Sequence, residues 1–233
     1  MRSRQQEILR ELNIYPLWRL RAEPISARSN LAGGAADTQH ADMAMPSYAS
    51  WDELKSAVKN CTLCKLRAGC SQTVCGVGDE KADWLFVGEA PGADEDAQGE
   101  PFVGQAGKLL DNMLAAIKLK RGVNVYITNV VKCRPPDNRI PHADEIAQCL
   151  PYLARQIQLI QPRLIVALGK TAATTLLECD DTIANLRGKV HHYQGIPLVV
   201  TYHPAYLLHT QQEKAQAWQD LCLALATMEK IIF

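Results

Sequence analysis

Trp84-Leu85-Phe86-Val87-Gly88-Glu89-Ala90-Pro91-Gly92 is the stretch on which the fold turns. Four apolar residues in a row are too few for a helix. They read as a strand buried on both faces, and the Gly/Pro run behind them stops it abruptly. Residues 125–131, 164–168 and 198–202 have the same character. Between and after them the apolar spacing becomes helical, over 106–119, 142–160 (with Pro151 expected to kink or break it), 170–178 and 211–230. Short buried strands alternating with helices predict an α/β fold, three-layer α/β/α, around a central, mostly parallel four-stranded sheet. The globular part begins near Ser50, which suits the N-cap of a helix through Lys59, with Glu53 at N3 completing a capping box.

The bulk numbers narrow the class. The chain has 233 residues, and 25 Lys+Arg balance 25 Asp+Glu. Zero net charge argues against a wholly electrostatic nucleic-acid coat and leaves room for a local basic groove. No apolar run approaches the ~18–20 residues that span a bilayer. The start, Met1-Arg2-Ser3-Arg4-Gln5-Gln6-Glu7, has no hydrophobic segment of the kind a signal peptide needs. A cytoplasmic protein without a membrane partner is expected. Eight cysteines in such a chain point to a reducing interior and to metal rather than disulfides.

Three segments are expected along the chain. Residues 1–21 hold a helix over 4–12 followed by the extended Tyr15-Pro16-Leu17-Trp18-Arg19-Leu20-Arg21, with an aromatic anchor. Residues 22–50, centred on Leu31-Ala32-Gly33-Gly34-Ala35-Ala36, read as a flexible linker. Residues 51–233 form the domain.

Parallel sheets bind ligands beyond the carboxyl ends of their strands. Gly88–Gly92, Asn129, Gly169-Lys170 and His203-Pro204 all fall at such ends, which implies one shared site. The long loop after the first strand carries five glycines between 88 and 107 and frames Phe102 and Val103 between Pro101 and Gly104. It suits close backbone approach to a planar ligand stacked on Phe102, or it is an acidic surface loop. The Asn129 carboxamide offers a donor and an acceptor to a ring edge with C=O beside N–H, or it caps the next turn. His203, pinned by Pro204, can donate to a developing oxyanion, or it is a structural histidine. Tyr206, Leu207 and Leu208 can wedge into stacked bases. Gly169-Lys170-Thr171 is no P-loop, because position 164 is Leu where that motif needs Gly. Lys170 at a helix start can still meet a phosphate, and Arg187, Lys189, His191 and His192 form a basic face or an ordinary solvated hairpin. Finally, Cys61, Cys64, Cys133 and Cys149 give C-x2-C and C-x15-C pairs, fit for an iron–sulfur cluster or zinc, with Cys70 and Cys75 as rival ligands.

Taken together, these motifs resemble the family 4 uracil-DNA glycosylases over roughly residues 50–230. The resemblance rests on the Gly-Glu-Ala-Pro-Gly loop with its Glu-Asp and Pro-Phe-Val-Gly, on Thr128-Asn129-Val130-Val131-Lys132-Cys133-Arg134-Pro135-Pro136, on the C-x2-C, and on Tyr202-His203-Pro204-Ala205-Tyr206-Leu207-Leu208. It implies a structural [4Fe–4S] cluster on Cys61, Cys64, Cys133 and Cys149. It implies a uracil pocket at Gly88, Glu89 and Ala90, with Phe102 stacking, Asn129 reading the edge, Glu95 crowding C5 against thymine, and His203 stabilising charge on O2. Lys170, Arg187 and Tyr206–Leu208 would touch DNA. Related glycosylases carry an Asp where this chain has Ala90, so Glu89 is the candidate for handling the attacking water. His209 stands where Arg is commoner. The expected partner is uracil-containing DNA, the expected state a monomer, and the expected place the bacterial nucleoid. A related clade that grips uracil-DNA without turnover carries an Arg/His-rich insertion after the second strand, where this chain runs straight into Cys133. Residues 4–21 are similar to the N-terminal peptide of the clamp-loader psi subunit, which implies a replisome contact through Trp18.

Overall fold

The computed structural model describes residues 48–232; the expected docking peptide at 1–21 and nearly all of the 22–50 linker lie outside them. Helix α1 (Trp51–Lys59) opens the described chain. Ser50 Oγ accepts the Glu53 N–H at 3.3 Å, and Glu53 Oε2 reaches back to the Ala49 N–H at 2.7 Å, so the capping box closes one residue early. Then come α2 (Leu66–Gly69), β1 (Val77–Gly78), β2 (Trp84–Gly88), α3 (Ala93–Gln98), α4 (Gln105–Ala116) and β3 (Val125–Asn129). A short 3-10 turn at Pro136–Asn138 leads into α5 (Ala143–Ile160), β4 (Leu164–Leu168), α6 (Lys170–Leu177) and α7 (Ile183–Leu186). The hairpin β5 (Val190–Tyr193) and β6 (Ile196–Thr201), then α8 (Pro204–His209) and α9 (Lys214–Ile232), finish it.

The sheet has six strands in the order β1-β3-β2-β4-β6-β5, rather than four. The expected four, β3-β2-β4-β6, are its parallel centre; β1 and β5 are antiparallel edges. Neither edge carries an apolar run. β1 is two residues including a glycine, and β5 is Val-His-His-Tyr with alternating exposure. Gln194 and Gly195, both at positive φ, close the β5–β6 hairpin with the two-residue turn that matches strand twist.

Alternation along each buried strand feeds two cores. Leu85, Val87, Ile165, Ala167, Leu198 and Val200 face α1, α5 and α6. Trp84, Phe86, Val125, Ile127, Leu164 and Val166 face α4, α8 and α9. Those are the three layers. α5 runs through Pro151, so the proline does not break the helix. Cys149, Tyr152, Leu153, Gln156 and Ile157 on both sides of it are buried, and their packing holds the turn whose backbone bond the proline removes. Among the described residues no helix is long and apolar enough to cross a membrane.

Candidate active site

The site starts from one strand pairing, Gly88 opposite Asn129 at the carboxyl ends of β2 and β3. A Cβ on Gly88 would stand 2.4 Å from Asn129 Oδ1 and 2.5 Å from Phe102 Cζ, so only glycine lets the two approach. Asn129 is 2 % exposed, and among the described residues its Oδ1 has no hydrogen-bond partner. It does not cap the next turn: the Val130 and Val131 N–H groups donate to the carbonyls of Gly88 and Glu89. A buried acceptor left bare is costly until a ligand N–H meets it. Lys132 fixes it from behind. Its buried Nζ donates to Asn129 O (2.7 Å), Thr128 Oγ1 (2.7 Å) and Gln156 Oε1 (2.6 Å), tying β3 to α5, and burial lowers its pKa to about 8.

The loop from 89 to 104 is held by Glu95. Its Oε2 accepts from the Gly92 N–H (3.0 Å), and its Oε1 accepts from the Val103 (2.9 Å) and Gly104 (3.1 Å) N–H groups. Phe102 sits at φ 56, a left-handed conformation that a non-glycine residue keeps only under restraint. Arg121 supplies it, donating Nη1 to Pro101 O (2.9 Å) and Nη2 to Phe102 O (2.8 Å). Gly107 supplies the rest: a Cβ there would lie 1.7 Å from Phe102 O. That glycine serves packing within the loop rather than ligand approach.

His203 is the N-cap of α8, and its Nδ1 accepts the Ala205 N–H at 3.1 Å. The ring proton is therefore on Nε2. Burial lowers the His203 pKa to about 4, only partly offset by the charge of Glu95, so the ring is neutral at physiological pH. Its centroid is 5.5 Å from that of Phe102, with the rings tilted 30°. Glu89 accepts a hydrogen bond on Oε2 from Thr171 Oγ1. Glu89, Ala90, Glu95, Phe102, Asn129 and His203 line one cavity of about 400 Å³, with Gly88 behind Asn129 and Phe102. That size suits a small planar ligand.

The profile of the uracil DNA glycosylase superfamily matches residues 75–222. The chain belongs to that superfamily. Among its relatives, the type-4 uracil-DNA glycosylase of Archaeoglobus fulgidus is 45 % identical over 179 residues, 73 % of this chain and 89 % of the relative. The type-4 uracil-DNA glycosylase of Pyrobaculum aerophilum is 42 % identical over 73 % of this chain and 91 % of itself. That of Sulfurisphaera tokodaii is 46 % identical over 69 % and 76 %. The superfamily match takes in the whole cavity together with Cys133 and Cys149, and leaves Cys61 and Cys64 just upstream.

The glycosylase cavity has a second lip that the sequence reading missed. Pro135, Asn138 and Arg139 line it opposite Ala205 and Tyr206. Arg139 grips Glu145, which is 3 % exposed, through two bonds of 2.8 and 2.6 Å and holds its pKa down to about 2. The signal available was an acidic N3 residue next to a Pro/Asn/Arg loop. The expected DNA contacts divide. Tyr206 and Leu208 are exposed, and Tyr206 also lines the cavity. Leu207 is 1 % exposed and belongs to the α4/α9 core, so it is no wedge. Arg187 is no phosphate contact either: its guanidinium is spent on Asp220 (3.0 Å, twice) and on Gln216 (2.8 and 2.6 Å). Lys170 is exposed beside Asp180 at 3.5 Å, a surface pair of small worth. The β5–β6 histidines sit on a half-exposed hairpin edge, where His191 Nε2 lies 2.7 Å from Leu186 O.

Cys61, Cys64, Cys133 and Cys149 line a second cavity, walled by Val58, Val131 and Tyr152. The rivals Cys70 and Cys75 are not on its wall; Cys70 is bonded to the Arg67 carbonyl and Cys75 to Gln156 Nε2. The Lys132 N–H donates to Cys149 Sγ at 3.2 Å, the kind of amide bond that thiolate ligands accept. Burial pushes the Cys149 thiol up to about 11 and raises Cys133 as well, so a metal would have to displace their protons. Among the described residues no three ligand side chains stand close enough to hold a single ion as they are. Four thiols on one cavity wall are a donor set that an iron–sulfur cluster or a zinc ion takes.

Proposed function

We infer that the protein is a uracil-DNA glycosylase that flips uracil out of DNA and hydrolyses its N-glycosidic bond, leaving an abasic site. The observation that carries this reading is the bare, buried Oδ1 of Asn129, facing Phe102 and His203 across one cavity. Uracil presents N3–H beside O4. The N3–H satisfies Oδ1, and the Asn129 Nδ2–H donates to O4. Phe102 stacks on the ring. Glu95 would crowd the C5 position against thymine, and three backbone N–H groups hold its carboxylate.

A stacked base cannot reach this cavity, so the nucleotide must first swing out, at a cost of a few kcal/mol that is least for single strands and mismatches. Tyr206 and Leu208 offer the exposed apolar surface to fill the gap. As the bond from sugar C1′ to uracil N1 breaks, its electron pair goes to the base and charge gathers on O2. The neutral His203 donates Nε2–H to that oxygen, which a cationic ring would simply protonate. A water then bonds to C1′, and its proton goes to the Glu89 carboxylate. No proton needs to cross the cavity before the C1′–N1 bond opens.

The four thiols would hold a [4Fe–4S] cluster, whose chemistry here is that of a structural tie. The reading also carries a monomeric cytoplasmic enzyme and a replisome-docking role for residues 1–21. Deleting those residues should remove replisome proteins from a pull-down without touching activity; unchanged partners would end the docking idea.

The test of function is release of free uracil from a single-stranded oligonucleotide. Wild type should release it, and Asn129→Asp should lose uracil excision by about a hundredfold or more, because a carboxylate cannot donate to O4. Undiminished excision by that variant would overturn the assignment of Asn129.

A further inference from the structure

The turn Gly169-Lys170-Thr171 is left unused by the reaction above, although it sits at the carboxyl end of β4 between the two catalytic side chains. Gly169 is at φ 90, and a Cβ there would stand 2.9 Å from His203 Cβ, so the turn runs hard against that histidine. The Gly169 N–H donates to Thr201 O at 2.8 Å, which fixes the turn to β6. Two residues on, Thr171 opens the first turn of α6 and donates Oγ1–H to Glu89 Oε2. Lys170, between them, points away toward Asp180 at 3.5 Å.

We propose that Thr171 is the positioning residue for Glu89. The proposal rests on the reading of Glu89 as the acceptor of the water's proton. A carboxylate on a flexible stem has several rotamers, and a general base works only from one of them. The hydroxyl picks that rotamer by occupying Oε2, which among the described residues leaves Oε1 to face the water. A neutral donor suits the task better than a cation. The neighbouring ammonium of Lys170 lies by Asp180 at 3.5 Å instead. The same short turn thus seats His203 on one side of the cavity and Glu89 on the other.

The test compares kcat and KM of Thr171→Val, Thr171→Ser, Glu89→Gln and the double variant Thr171→Val/Glu89→Gln on a single-stranded uracil oligonucleotide. Valine keeps the shape and removes the hydroxyl. Thr171→Val should lower kcat by about tenfold to a hundredfold with KM nearly unchanged. Thr171→Ser should restore kcat. In the Glu89→Gln background, Thr171→Val should add nothing. Wild-type kcat in Thr171→Val, or an equal loss in both backgrounds, would overturn the proposal while leaving Glu89 in place. An unimpaired Glu89→Gln would overturn the role of Glu89 and the proposal with it. Absence of uracil release by the wild type would sink the enzymatic reading itself.

Discussion

Because the Ala205 amide occupies Nδ1 of His203, the neutral ring carries its one proton on Nε2. Burial keeps that state down to a pKa of about 4, against about 6.5 in an unfolded chain. The consequence for stability has a definite sign. Between those two values the unfolded chain binds a proton that the folded one refuses, so stability falls as pH drops from about 6.5 to about 4 and levels below that. The loss is on the order of 3 kcal/mol. Denaturant unfolding at a series of pH values should show this slope in wild type and a shallower one in His203→Asn. Parallel curves would mean that the ring titrates normally. On the proposed mechanism His203→Ala removes the donor to uracil O2, and kcat should fall by about 10²–10³-fold with uracil-DNA binding largely kept. At this scale the sequence was informative wherever a residue type has few uses. An Asn at a strand end and a His followed by Pro were readable, and both line the cavity. Leu207 and Arg187 were not, because a leucine or an arginine next to a site reads alike whether it faces DNA or the core.

The loop between β2 and α4 shows what an element adds to its residues. Its left-handed Phe102 is strained alone and is restrained from three sides: Glu95 on the following N–H groups, Gly107 beneath the carbonyl, and Arg121 on two carbonyls. Arg121→Met should release the two carbonyls while leaving every cavity residue in place. The expected result is a loss of about 1–3 kcal/mol in unfolding free energy and a raised KM for uracil-DNA. A variant with wild-type KM would show that Glu95 and Gly107 suffice. The sequence could place the loop and its aromatic ring but not Arg121, which arrives from beyond the far end of α4, 19 residues from Phe102. Contacts of that kind follow no period of 2 or 3.6 and leave no pattern. The same limit hid the edge strand β1, while β5 was legible only as a solvated hairpin around His191 and His192.

Across the whole molecule, the two cavities share one piece of chain. β3 ends at Asn129 in the proposed uracil pocket, and four residues later Cys133 stands in the thiol cavity, with Lys132 between them bonded to the Asn129 carbonyl and to Gln156 of α5. The four thiols come from the segment after α1, from the end of β3 and from α5, so a cluster there would cross-link three segments far apart in sequence. Such a link stabilises the native state by its own binding energy, since the unfolded chain holds no preformed site. Purified protein should be brown, with iron and sulfide in equal amounts. A colourless protein with stoichiometric zinc would discard the cluster. Cys149→Ser should lose the colour and lower Tm by about 10 °C or more, at ~2–4 °C per kcal/mol for a chain of this size. It should also raise KM, because the end of β3 that carries Asn129 loses its anchor. Cys75→Ser, off the cavity wall, should keep colour, Tm and KM. If Cys75→Ser bleached the protein and Cys149→Ser did not, the ligand set would have to be redrawn. If Cys149→Ser bleached it but left KM unchanged, the two cavities would be neighbours without mechanical connection.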